Sequence, residues 1–129
     1  MNPITAEWVM KAEADFGVAM RELRGRKSPS YDASCFHAQQ SAEKYLKAVL
    51  QESITPFTRT HDLLTLVALL PPDPFWALLT KQLHALAVHA VNSRYPGKFA
   101  GKTEASDAVQ VCREVRGHCR HLLALPVLK

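Results

Sequence analysis

At 129 residues the chain has room for one hydrophobic core rather than two, and an apolar fraction of 47% with 22% charged residues is that of an ordinary globular protein. No stretch approaches the ~18 apolar residues of a membrane span, and the amino terminus lacks an apolar run with a cleavage site. A net charge of +4 is too mild for a nucleic-acid-binding arm; it permits an anionic partner, and a surface that is merely basic accounts for it equally well.

The first predicted helix runs from Thr5 to about Arg24, with Trp8, Ala12, Phe16, Ala19 and Leu23 at helical steps of three and four. Thr5 suits its N-cap, and Gly25 to Tyr31 forms a basic loop after it. A second helix spans Asp32 to about Glu52, capped by Asp32, with Cys35, Ala38, Ala42, Tyr45 or Leu46, and Val49 as its apolar stripe. Thr60 caps a shorter helix through about Leu70, which the Pro71-Pro72-Asp73-Pro74 cluster stops. Phe75 to about Ser93 forms the next, with Leu78, Leu79, Leu83 or Gln82, Leu86 and Ala90 inward, and Tyr95-Pro96-Gly97 breaks it before a basic loop, Lys98 to Lys102.

The last helix begins at Thr103 as N-cap, and Ala105, Ala108, Cys112, Val115, Cys119 and Leu122 form its buried stripe until Pro126. No alternation persists long enough for a strand. The expectation is all-α: an antiparallel up-and-down bundle of four long helices plus one short helix, a single domain over residues 1–129. Three cysteines without tight spacing argue against a disulfide framework or a zinc site, and Cys112 and Cys119 on one stripe read as small buried hydrophobes. A reduced, cytoplasmic protein is expected.

Certain words stand out: Phe36-His37-Ala38-Gln39-Gln40-Ser41-Ala42-Glu43-Lys44, then Leu46-Lys47-Ala48, Thr60-His61-Asp62-Leu63, Arg94-Tyr95-Pro96 and the Asp107-Ala108 helix. With Trp8, Ala12 and Asp15 ahead of them, they resemble the HEPN (higher eukaryotes and prokaryotes nucleotide-binding) domain family, in order and spacing, over nearly the whole chain. The resemblance implies a helical bundle, usually homodimeric, that binds nucleotide or RNA, often beside a small nucleotidyltransferase and often as one half of a toxin–antitoxin pair. No cofactor or metal is implied.

Active members of the family cleave RNA with an arginine followed four to six residues later by a histidine, which can move the 2′-hydroxyl proton while arginine steadies charge on the phosphate. Arg94 resembles the family's arginine, yet Phe99, Ala100 and Gly101 stand where the histidine belongs. Two literal matches exist in the last helix, Arg113 with His118 and Arg116 with His121. Residues five apart on a helix point about 140° away from each other, so these weak catalytic candidates need a kink near Gly117 or a second subunit to converge.

Binding candidates are more numerous. Arg113, Arg116 and Arg120 fall within about 60° on one helix face and suit phosphate oxygens, although a solvated outer face has the same pattern. His37, Gln40, Ser41 and Lys44 share a polar face of the second helix that can grip a base and a phosphate or, as readily, tie helices together. His84 and His89, five apart, are poorly spaced for a metal. The leading expectation is a nucleotide- or RNA-binding module whose arginines near Arg94 and along the last helix line one hollow. The alternatives are a metal-independent endoribonuclease toxin, and a subunit that only holds a nucleotidyltransferase.

Overall fold

The structure, a computed structural model, describes residues 1–126 and residue 128. Helix α1 (Pro3–Arg24) starts two residues before the expected cap: Asn2 accepts the Ile4 N–H at 2.8 Å, and Pro3 takes the first helical position, where a missing N–H costs nothing. Thr5 is instead fully buried inside the helix. Helix α2 (Tyr31–Glu52) is capped by Ser30, whose Oγ accepts from Ala33, rather than by Asp32. The corner between them closes where Glu22 accepts the Ser30 N–H at 2.8 Å, and the opposite end is tied by the Asn2 N–H donating to Glu52 at 3.0 Å. The two helices are therefore antiparallel along their full lengths.

Helix α3 (Leu63–Val67) is shorter than expected, since Asp62 and not Thr60 provides its cap. The third rod of the bundle is built in three pieces, α4 (Pro74–Leu78), α5 (Thr80–Ala87) and α6 (His89–Asn92). Each joint residue is bonded into the pieces on both sides, Leu79 donating to Trp76 at 3.1 Å and accepting from Leu83 at 2.9 Å, Val88 donating to Leu86 and accepting from Asn92 at 2.9 Å, so the three pieces stay joined. At the first joint the Thr80 hydroxyl donates to the carbonyls of Trp76 and Ala77, a side-chain competitor for the helical ladder. Leu78, expected inward, is 83% exposed, because it lies about 100° around the helix from Leu79, while Leu79, Leu83, Leu86 and Ala90 are buried as the periodicity requires.

Helix α7 (Lys102–Leu122) starts after Gly101, with Glu104 accepting the Gly101 N–H, and not at Thr103. Its stripe of Ala105, Ala108, Cys112, Val115 and Cys119 is buried; Leu122, the last predicted member, is 45% exposed. The Ala100 N–H donates to Asp32 at 2.8 Å, which sets the starts of α7 and α2 at one end of the bundle. The order is up, down, up, down, and among the described residues all regular structure is helical. No described helix is long and apolar enough to cross a membrane.

Helix α2 is the hub, because every other rod packs on it and twelve of its residues are buried. Alanines at Ala12, Ala19, Ala38, Ala42 and Ala105 let the rods approach closely, and Ser34 donates to the Ala19 carbonyl at 2.8 Å across the α1–α2 seam. Close approach buries polar groups too, and the charged ones among them are paired. Glu43, 3% exposed, accepts from Gln39, Lys47 and His61, while the Lys47 ammonium lies 5.5 Å and 5.9 Å from the rings of Trp8 and Phe57. That cluster fastens the connector before α3 onto α2.

All three cysteines are buried, and burial pushes the thiols of Cys35 and Cys112 up to about 12 and that of Cys119 higher still. A thiol reagent at pH 8 should therefore leave the native protein unlabelled and modify all three cysteines once urea unfolds it. Rapid labelling of any of them without denaturant would contradict this packing.

Candidate functional site

On α1, Glu13 and Asp15 sit about 200° apart around the axis and meet different neighbours. Glu13 faces α7. Arg116 grips it with Nε at 2.7 Å and Nη2 at 2.8 Å, a two-pronged pair laid 4.4 Å over the ring of Phe16. The Tyr45 hydroxyl also donates to Glu13 and accepts from Arg120 at 3.1 Å, while the Arg120 Nε donates to the Pro126 carbonyl at 2.7 Å. Burial alone would raise the Glu13 carboxyl, but hydrogen bonds from Arg116 and Tyr45 and both guanidinium charges hold it below its usual value; burial and the Glu13 contact push the Tyr45 phenol up.

Two members of the expected basic stripe are thereby drawn into the bundle: Arg116 and Arg120 are 9% and 7% exposed, and their guanidinium groups join three helices. Arg113 alone of the three stays exposed, reaching back to Gln110 and to the Met20 sulfur at 3.3 Å. The expected hollow shared by Arg94 and these arginines is not what the packing produces. One cleft lies between Val49, the proline cluster and Leu122, another between α5 and α7 around Leu86 and Asp107, and none of the four arginines lines either.

The Arg–His pairs are likewise directed apart. Arg113 and Arg116 turn to α1, while His118 turns to the third rod, bonded to Asp73 at 2.7 Å and stacked 3.9 Å from the Phe75 ring. The Phe75 N–H and then His118 hold the Asp73 carboxyl below its usual value. His121 is exposed, its ring 6.4 Å from that of His118. Among the described residues no group of three or more His, Cys, Asp and Glu side chains is placed to hold a metal ion.

Asp15 faces α2 and gathers the other candidates. Its Oδ1 accepts from His37 Nδ1 at 2.7 Å and its Oδ2 from Lys44 Nζ at 2.5 Å. The Asp15 side chain is 12% exposed, whereas those of His37 and Lys44 keep 31% and 24% of their surface open. The carboxylate accepts the hydrogen bond of His37 Nδ1–H, so Nε2 is left for another partner. Gln40, one turn on, donates to Gln39 at 2.7 Å with its own Oε1 free of hydrogen bonds among the described residues. Ser41 is fully buried and does not join them.

Arg94 completes the strip from the far end of α6. Its Nε donates to the Ala90 carbonyl at 2.9 Å, which lays the guanidinium 5.5 Å over the ring of Phe36, itself edge-on to His37 at 5.3 Å. The terminal nitrogens of Arg94 have no hydrogen bond among the described residues, so they are open to an anion. Arg94, Phe36, His37, Gln40 and Lys44 thus form one continuous half-exposed band over the α1–α2 seam. The sequence points to the three polar members of α2 and to Arg94, but not to Phe36 as a platform or Asp15 as the shared anchor; the available signal is a pair of carboxylates, Glu13 and Asp15, amid the apolar residues of α1.

The sequence model of the HEPN domain matches residues 5–122. A search of the solved structures matches a crystal structure of TT1696 from Thermus thermophilus at a TM-score of 0.78 and 21% identity, covering 95% of this chain and 99% of that one. That likeness concerns the fold alone. No curated protein matches the chain.

The Glu13 arrangement carries a pH dependence. A carboxyl held below its ordinary value of 4.5 in the folded state adds stability that is complete above that value and is lost as pH falls through the lowered one. Glu13→Gln should cost about 3 kcal/mol at pH 7, by stranding Arg116, and flatten the fall in urea midpoint between pH 5 and acid. An unchanged midpoint and an unchanged acid limb would show that the pair contributes nothing. His118→Ala, which removes the Asp73 bond, the Phe75 stack and an edge-on contact with Trp76, should cost about 1–2 kcal/mol in the same assay.

Proposed function

Because the chain belongs to the HEPN domain family, we propose that it is a nucleotide- or RNA-binding module and that its ligand lies along the Arg94–Phe36–His37–Lys44 band. Membership supports a nucleotide- or RNA-related function in general. The observation that carries the particular site is the Asp15 fork, which fixes an imidazole and an ammonium side by side at the surface next to an arginine with open nitrogens.

Each group has a distinct part. Arg94 presents a flat fork of N–H donors suited to phosphate oxygens, and Lys44 adds a point charge on the same face. Gln40 and the outer nitrogen of His37 match the donors and acceptors of a base edge or a ribose hydroxyl. Asp15 acts as a positioning residue, holding two long side chains in register and limiting the freedom they would otherwise lose on binding.

Binding is favoured over RNA cleavage by the contacts of the arginines and histidines on α7, since Arg116 is bonded to Glu13 and His118 to Asp73 within the same chain. Partner chains belong to the proposal as well. Family likeness is what supports a homodimer and a small nucleotidyltransferase partner, and a reduced, cytoplasmic setting accords with the buried thiols.

Titration with ATP and UTP by calorimetry at low salt tests the site. Arg94→Glu and Lys44→Ala should each weaken binding by about tenfold, roughly 1.4 kcal/mol, while Asp15→Asn should weaken it less and release His37. Full affinity in Arg94→Glu would place the ligand elsewhere. Incubated with RNA, the protein should leave it intact; cleavage that His118→Ala abolishes would favour the ribonuclease reading.

A further inference from the structure

The band described above ends at the point where α2 begins, and there the bundle carries a feature of a different kind. Two loops flank the α2 start at this end, residues 25–30 after α1 and residues 93–101 before α7. Hydrogen bonds hold each of them there, Ser30 N–H to Glu22 closing the first onto α1 and Ala100 N–H to Asp32 fastening the second onto α2, each at 2.8 Å.

Charge is concentrated here. Residues 22–32 and 94–104 contain six cations, Arg24, Arg26, Lys27, Arg94, Lys98 and Lys102, against three carboxylates, Glu22, Asp32 and Glu104, in a chain whose net charge is +4. All six cations are exposed. The three carboxylates are turned back onto backbone N–H groups of Ser30, Ala100 and Gly101, so they are engaged in closing the loops instead of pairing with the cations.

Two aromatic rings stand among these charges. Phe99 is 86% exposed and Tyr95 60%, each directly following a cation in the chain, Lys98 and Arg94. Single exposed apolar residues are common and need no explanation. A ring beside each cation, on a loop whose turn needs Gly97 at a φ of 98°, is a more particular arrangement. Flat rings stack on unpaired bases of any identity while neighbouring cations follow the phosphates, which is how sequence-tolerant single-strand binding works. A duplex hides its bases from such rings.

We propose that this loop-built end is a second subsite, which binds a single-stranded RNA segment by stacking bases on Phe99 and Tyr95 and pairing phosphates with Lys98, Lys102, Arg26 and Lys27. It rests on the reading of the Arg94–Lys44 band as a nucleotide site: the band holds one nucleotide and the end holds the strand that leaves it. The ligand class is thereby a single strand of several nucleotides, not a free mononucleotide.

The test compares UTP with an unstructured oligouridine of about 12 nucleotides and with a hairpin RNA, each labelled and titrated at several salt concentrations. The oligomer should bind tighter than UTP and tighter than the hairpin. Phe99→Ala should weaken the oligomer by about tenfold and leave UTP unchanged. Removing three cations, R26A with K27A and K98A, should lower the salt slope for the oligomer by about 2. Arg59→Ala, an exposed cation before α3, should change neither. Lys44→Ala should weaken both ligands.

The subsite is overturned if the oligomer binds no tighter than UTP, if the hairpin binds as well as the oligomer, or if the loop variants match wild type while Lys44→Ala weakens both ligands. In each of these cases the nucleotide site itself stands. Binding of neither ligand overturns the nucleotide site, and the subsite with it. Because Phe99 is almost wholly exposed, its loss should leave the thermal midpoint unchanged, and circular dichroism confirms that the variant is folded.

Discussion

Two carboxylates on one helix decide which of the chain's cations work inside and which work outside. Glu13 looks toward α7 and takes Arg116 in a two-pronged pair, with Tyr45 and Arg120 completing the cluster. Asp15 looks toward α2 and holds His37 and Lys44 at the rim of the seam. A shift of α1 by one residue would rotate both by about 100° and strand the cations they serve. The pairs therefore fix the register of α1 against both neighbours, a use of buried charge better attested than any gain in net stability.

That division explains how much of the molecule is readable in its sequence. The stripes of α2 and α7 are legible because apolar spacing alone determines which face is buried, and Cys35, Ala38, Ala42, Cys112 and Cys119 are all fully buried. Helix starts are not. Thr5, Asp32, Thr60 and Thr103 each satisfy the cap pattern, yet Asn2, Ser30, Asp62 and Gly101 occupy the positions. Any short polar side chain near a start fits the pattern, and tertiary contacts choose among them: Asp32 is needed for the Ala100 N–H, and Thr5 is enclosed.

The site is half legible. Cations advertise themselves by type, so Arg94, His37 and Lys44 can be named from the family words and the polar face of α2. Their partners lie on other helices, at separations from 22 residues for Asp15 with His37 to 103 for Glu13 with Arg116, where no local spacing rule reaches. The α7 stripe shows the consequence. Arg113, Arg116 and Arg120 share a face by geometry, and that face is turned toward α1 and α2, where Arg116 and Arg120 are buried.

A band with so few free charges raises a question of affinity. Lys44 is already paired with Asp15, and solvent-exposed ion pairs such as one between Arg94 and a phosphate contribute about 0–1 kcal/mol each. Two or three such contacts hold a mononucleotide weakly. A strand is different, because every phosphate engaged at the loop end releases counterions and every stacked base adds its own contact without a new cost of bringing the molecules together. On this arithmetic the arginines closed inside the bundle and the cations gathered on its end are two sides of one arrangement: the interior uses charge to set helix register, and six of the exposed cations stand together at one end, where a polyanion can engage more of them than a single nucleotide can.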